Sequence, residues 1–260
     1  MLKFAATLLF FFICFNVQAQ TWELGGAIGG AGYMGDLNPN NPVKLSGGSV
    51  SGFVMRNFSP YLSAKINYAY GQIGAADSNS SNKQFRARNL SFKSKLSEIS
   101  LLGEFNFMNY LAGVSHNRFT PFIFFGVGLV NYNPQTVYKG QTYDLRPLTT
   151  EGEKQYPHSA ISIPYGAGFK YNIGGNWNLN FDVGYRQPNT DYLDDVSGSY
   201  ASPAKLPSNL SRALADRSGE NTGVYIGAPG SQRGDGRARD TYMFVQVGFS
   251  YTFVSTKCYY

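Results

Sequence analysis

The chain has 260 residues, of which 15% are charged and 16% aromatic, with 30 glycines and a formal net charge of +6. A soluble domain of this size carries nearer a quarter of its residues as charges, and the dispersed basic residues give no block for nucleic-acid binding. Past residue 20 no apolar run approaches the roughly 20 residues that a spanning helix requires, which leaves the alternating strands of a membrane barrel as the architecture that fits.

The N-terminus reads as an export signal. Lys3 is a short positive n-region, Phe4 to Phe15 is an apolar core of secretory length, and Val17-Gln18-Ala19 forms a cleavage site. The expected divisions are a signal peptide over 1–19, a barrel domain over 20–254 and a tail over 255–260. Ile13 is too bulky before Cys14 for a lipoprotein signal.

Strands are expected near 22–34, 48–57, 61–72, 96–108, 119–132, 160–172, 177–187 and 241–254. The first contains Gly30-x-Gly32-x-x-Gly35, a formal dinucleotide fingerprint. Asp36-Leu37-Asn38-Pro39 follows it instead of a helix, so small strand residues explain it better. In the third, Leu62, Ile66, Tyr68 and Tyr70 share one face, with Lys65 and Asn67 on the other. In the fourth, Ile99, Leu101, Phe105 and Phe107 oppose Glu98, Ser100, Glu104 and Asn106. In the seventh, Leu179, Phe181, Val183 and Tyr185 oppose Asn178, Asn180, Asp182 and Arg186. The pattern predicts a closed antiparallel transmembrane barrel of about eight strands. Val137 to Tyr143 predicts an extra hairpin beyond the membrane.

Connections alternate between short and long. With an even strand count this places both termini in the periplasm and the loops 35–47, 73–95, 133–159 and 188–240 outside. Basic loop residues, among them Lys83, Arg86, Arg88, Lys93, Arg233, Arg237 and Arg239, read as solvated loop tips. Lys65, Glu98, Glu104, Lys170, Asp182 and Arg186 fall on inward faces. Paired carboxylates can serve acid–base catalysis, but eight strands enclose a space that side chains fill. Ion pairs within a filled, non-conducting lumen are therefore expected.

No enzymatic activity and no cofactor or metal is expected. Of the two histidines, His116 lies in a turn and His158 precedes Ser159. Neighbouring strand residues point to opposite faces, which defeats a Ser–His nucleophile there. Asp191, Asp194 and Asp195 open the longest loop without the spacing of a known calcium loop, so capping and turn hydrogen bonds are expected of them. In the last strand Gln246, Gly248, Tyr251 and Phe253 resemble the signal read by the barrel-assembly machinery, although seven residues follow Phe253.

Several motifs together resemble one family: Gly35-Asp36-Leu37-Asn38, Arg88-Asn89-Leu90-Ser91-Phe92-Lys93-Ser94, Leu145-Arg146-Pro147-Leu148-Thr149-Thr150-Glu151-Gly152, Pro164-Tyr165-Gly166 and Thr190-Asp191-Tyr192-Leu193-Asp194-Asp195-Val196-Ser197. They look like the PorG-like outer-membrane barrels (the DUF6089 group) of Bacteroidetes. The resemblance implies an outer-membrane, lipid-embedded part in type IX protein secretion, with a periplasmic ring lipoprotein as partner. The other functional classes are a structural or adhesive barrel and, less favoured, a lipid-modifying enzyme.

Loss of the signal peptide would leave Cys258 as the one cysteine of the chain, on the side assigned to the oxidising periplasm. The reading that follows is a disulfide to the ring lipoprotein that the resemblance names. Non-reducing electrophoresis of membranes should show a higher-mass species that disappears with reductant and in Cys258→Ser. A wild type that runs only as a freely alkylated monomer sinks this reading.

Overall fold

The computed structural model describes residues 21–254; the signal segment and Cys258 lie outside the described residues. Its strands are β1 (Thr21–Met34), β2 (Leu45–Asn57), β3 (Leu62–Ala76), β4 (Ser91–Asn106), β5 (Phe119–Tyr138), β6 (Gln141–Asp144), β7 (Ser159–Gly174), β8 (Trp177–Pro188) and β9 (Thr241–Phe253). Short helices lie in the connections, among them α1 (Lys83–Arg88) and α2 (Asn209–Ala215). No helix among the described residues is long and apolar enough to cross a membrane.

Every pairing between named strands is antiparallel. Eight strands form a ring in which each pairs with its sequence neighbour, except that β5 pairs β7 across the small β6, and β9 returns to β1. The closing seam runs unbroken from Trp22 opposite Phe253 to Met34 opposite Thr241. The expected eight-stranded barrel is thus the fold. β5 runs on past the ring and folds back into β6 through Lys139-Gly140, both at positive φ (50° and 79°), as a tight hairpin turn requires. This is the hairpin expected over Val137 to Tyr143. β3 and β4 also run further than the pattern predicts, to Ala76 and from Ser91. Above the lipid the outward positions turn to Lys93 and Lys95, so the apolar alternation stops before the pairing does.

Side-chain direction follows the period of two. Along β4, Ile99, Leu101 and Phe105 point outward while Glu98, Ser100 and Glu104 are buried. Ile28, Ile66, Phe125, Ile161 and Phe249 extend the outward band around the ring. A surface so apolar is a liability in water and the expected one in lipid. Aromatic side chains edge it. At the end that carries the termini and tight turns, Trp177 packs on Tyr251 at 5.0 Å and Tyr251 on Phe253 at 4.9 Å, and the Arg56 guanidinium lies 5.3 Å over Trp22. At the loop end Tyr165 stacks on Tyr185 at 6.3 Å.

Both mouths are covered. At the turn end the 107–118 connection tucks Tyr110 beneath the barrel, where its hydroxyl donates to Asn178 Oδ1 at 2.6 Å. At the loop end an apolar cluster joins inward strand residues such as Tyr33, Ile73, Leu96 and Phe244 to loop residues Leu37, Leu193, Val196 and Leu214. The long connection 189–240 is therefore a folded cap, with its own buried residues, over the opening.

Leu101→Arg puts a charge into the apolar band and should cost about 2–4 kcal/mol if that position lies at the bilayer midplane. The measurement is the urea midpoint in lipid vesicles. An unchanged midpoint would contradict the assignment of this face to lipid.

Candidate functional site

Lumen chemistry centres on two glutamates of β4. Glu104 accepts hydrogen bonds from Lys65 Nζ of β3 at 3.2 Å and from Lys170 Nζ of β7. Phe122 of β5 faces both ammonium groups, 5.9 Å from Lys65 and 5.1 Å from Lys170. Glu98 accepts from Tyr242 Oη and, at 3.0 Å, from Ser162 Oγ. Arg186 Nε approaches Glu98 at 3.7 Å without a hydrogen bond, its guanidinium resting 4.4 Å over Phe244. Asp182 lines the same interior and has no ion pair among the described residues. The space left between these groups is about 20 Å³, room for about one water.

This set of charges holds the barrel full. Breaking a buried pair leaves an uncompensated charge, so each member locks its partners in place. Glu23 of β1 belongs with it and was absent from the sequence reading: it accepts from Ser250 Oγ at 2.5 Å across the closing seam. Of the assembly-signal residues, Gln246 turns inward onto Ser51 at 3.1 Å, Gly248 lies against the β1 backbone at Gly26 and Ala27, Tyr251 is half-buried and Phe253 faces outward.

The histidines are far from this chemistry. His116 is exposed at the turn end, and His158 is exposed at the loop end just before β7. Neither makes a side-chain hydrogen bond among the described residues.

The cap corrects the reading of the basic loops. Arg88 and Arg233, expected in solvent, are 5% and 3% exposed. Arg88 grips Asp77 through Nε and Nη2 at 2.8 and 2.7 Å, and donates to the backbone oxygens of Arg233 and Asp36. Arg233 donates to Glu151 Oε1 at 3.0 Å, Asp195 O at 2.8 Å and Ala215 O at 3.2 Å. Two guanidiniums thus tie together segments from all four loop-end connections. Sequence reasoning missed this because a guanidinium's carbonyl partners, lying far off in sequence, leave no local pattern.

The acids of the cap also converge. Asp195, at φ 71°, accepts from Thr150 at 2.6 Å and Tyr156 at 2.8 Å, and the Tyr156 ring stacks on Tyr192 at 4.5 Å. Asp194 Oδ1 accepts from Val196 N at 2.9 Å, a turn bond of the kind expected for this run. Its other oxygen meets the Tyr33 hydroxyl at 2.5 Å, and the same hydroxyl lies 3.1 Å from Asp240 Oδ1. Asp36, Asp194 and Asp240, from three separate places in the chain, each bring one oxygen within 4.8 Å of the others. Burial raises all three carboxyls. Asp36 is pushed up to about 7; Asp194 and Asp240 are raised well above the ordinary range, the neighbouring acids adding to the effect. On the barrel's outer side at the same end, Lys44, Lys93 and Lys95 line an open groove of about 530 Å³.

Arg233→Ala removes three anchors of the cap, each a hydrogen bond donated by a charged guanidinium and worth about 1.5–3 kcal/mol. Proteinase K should then cut within 189–240 at least about 10-fold faster, with the barrel fragments intact. Equal cleavage rates in wild type and variant would show that the cap is held elsewhere.

No curated protein matches the sequence. Among solved structures the chain is similar to Neisserial surface protein A at 10% identity (91% of this chain, 98% of that one, TM-score 0.43). It is similar to the outer membrane protein OprG of Pseudomonas aeruginosa at 12% identity (91% and 97%, TM-score 0.45). A third is the attachment invasion locus protein Ail of Yersinia pestis, at 12% identity (91% and 100%, TM-score 0.40). The family model described as "Domain of unknown function (DUF6089)" matches residues 2–209, most of the chain, and the protein belongs to that family.

Proposed function

We propose that this protein is a non-enzymatic outer-membrane component of the type IX secretion apparatus, which links the membrane to a periplasmic ring. The observation that carries the reading is the filled barrel. Its lumen leaves about 20 Å³, both mouths are covered, and most of the charged interior, Asp182 apart, is taken up in mutual pairing. Such a barrel passes no substrate; what it offers is a fixed position in the bilayer and two protein surfaces. The two histidines stand exposed at opposite ends, which favours a scaffold over a hydrolase. The choice of secretion system rests on the resemblance of the sequence motifs to the PorG-like barrels, with which membership of the DUF6089 family is consistent. The lipid-facing band and its aromatic edges support an outer-membrane position, and the short turns at the end opposite the cap support a periplasmic face there.

A second reading is an adhesive barrel. Val224 and Tyr225 in the cap are 63% and 71% exposed and Ile226 is 47% exposed, a small apolar patch on the loop end. Deleting the gene separates the two. The secretion reading expects cargo proteins to be retained in the periplasm and released again on complementation. Normal cargo secretion in a strain without a second copy, with reduced surface attachment, would establish the adhesive reading instead.

A further inference from the structure

Three carboxylates share the floor of the cap. Asp36, Asp194 and Asp240 are 1%, 2% and 0% exposed. None forms an ion pair among the described residues. The two nearby guanidiniums are committed elsewhere, Arg88 to Asp77 and Arg233 to Glu151.

Their hydrogen bonds leave acceptors over. Backbone N–H groups of Asp235, Val196 and Leu193 pin one oxygen each of Asp36, Asp194 and Asp240. Of the remaining oxygens, Asp194 Oδ2 and Asp240 Oδ1 both face the Tyr33 hydroxyl, which has a single proton and satisfies one of them at a time. Asp36 Oδ2 is buried and finds no donor in the protein. Carboxylate oxygens gathered this closely with too few donors among them are what a metal ion, or extra protons, must reconcile.

The backbone is shaped to the cluster as well. A Cβ on Gly35 would stand 1.8 Å from Asp240 Oδ1 and 2.3 Å from Tyr33 Oη, so only glycine fits there.

We propose that Asp36, Asp194 and Asp240, with the Tyr33 hydroxyl beside them, form a calcium site that fastens the cap to the barrel. The donor set is all oxygen, with neither sulfur nor imidazole, which selects hard cations over zinc or copper. Three carboxylates from different segments give a flexible cage of the kind that Ca²⁺ accepts and Mg²⁺, with its strict octahedron, tolerates poorly. A bound ion would join the 35–44 loop to both ends of the 189–240 connection, since Asp194 lies near its start and Asp240 at its end. The site is independent of the secretion role.

The test uses the full-length protein in detergent, stripped with EDTA and titrated with CaCl₂ or MgCl₂ by calorimetry. Protection of the cap from proteinase K is followed in parallel. One equivalent of Ca²⁺ should bind, at least 10-fold more tightly than Mg²⁺, and slow cleavage of 189–240. Asp36→Asn should lower the affinity at least 10-fold; Asp144→Asn, an exposed carboxylate on the β6 hairpin, should not. Retention of the heat-modifiable barrel band reports that each variant is folded. If wild-type protein binds no Ca²⁺ and its cap is indifferent to EDTA, protons alone neutralise the cluster and the proposal is wrong. Undiminished binding in folded Asp36→Asn would also overturn it.

Discussion

A strand with hydrocarbon on one side has nowhere to leave an unpaired amide, and this molecule rests on that constraint. The ring has to close, so β1 and β9, at opposite ends of the described chain, must find each other. Much of the seam is made of small residues. Gly25 and Gly29 of β1 and Gly248 of β9 let the two strands approach closely; a Cβ on Gly29 would fall 1.9 Å from the Val245 carbonyl oxygen. The glycine pattern that imitates a nucleotide loop is set by close packing: Gly30 and Gly32 make room for Leu45 of β2 and the Lys44 carbonyl just before it, and Gly35 for the Asp240 carboxylate.

Closure in turn dictates the interior. Apolar side chains are drawn to the lipid, so the inward positions must be filled by groups that satisfy one another. Small inward residues cannot fill the ring; the large ones are apolar, as Leu102, Phe122 and Phe124 are, or charged and mostly paired, Glu104 with two lysines and Glu98 with Tyr242, Ser162 and Arg186. Exposed apolar and buried polar surface, a sign of misfolding in water, is here one arrangement seen from its two sides.

The strands were legible because a period of two survives in the sequence wherever one face meets lipid and the other does not. That is why Ile99, Leu101 and Phe105 could be separated from Glu98 and Glu104. Where lipid ends the signal ends, and the upper parts of β3 and β4 were read as loop although they are paired. Glu23 could have been found by the same alternation, since it lies between the outward Trp22 and Leu24. The cap could not. Asp36, Asp194 and Asp240 are joined by folding alone, and Arg88 and Arg233 carry the same letters as any solvated arginine. The two motifs Gly35-Asp36-Leu37-Asn38 and Thr190 to Ser197 were noticed for their likeness to a family; nothing local said that they would meet.

The position of Asp240 has a bearing on how the barrel is made. It is the residue immediately before β9, and the seam register sets Met34 opposite Thr241, which brings Asp240 beside Gly35 and Tyr33. A barrel seam can slip by two residues and still keep every side chain on its proper face. Such a slip would carry Asp240 about 7 Å along β1, away from the Tyr33 hydroxyl, and would leave the cap's lower edge unjoined. The lipid face is blind to that error, because small and apolar residues repeat along both strands. The cap is not blind to it. The polar cluster at the mouth, like the Ser250–Glu23 bond within the seam, is complete in this one alignment and not in neighbours that the membrane alone would accept.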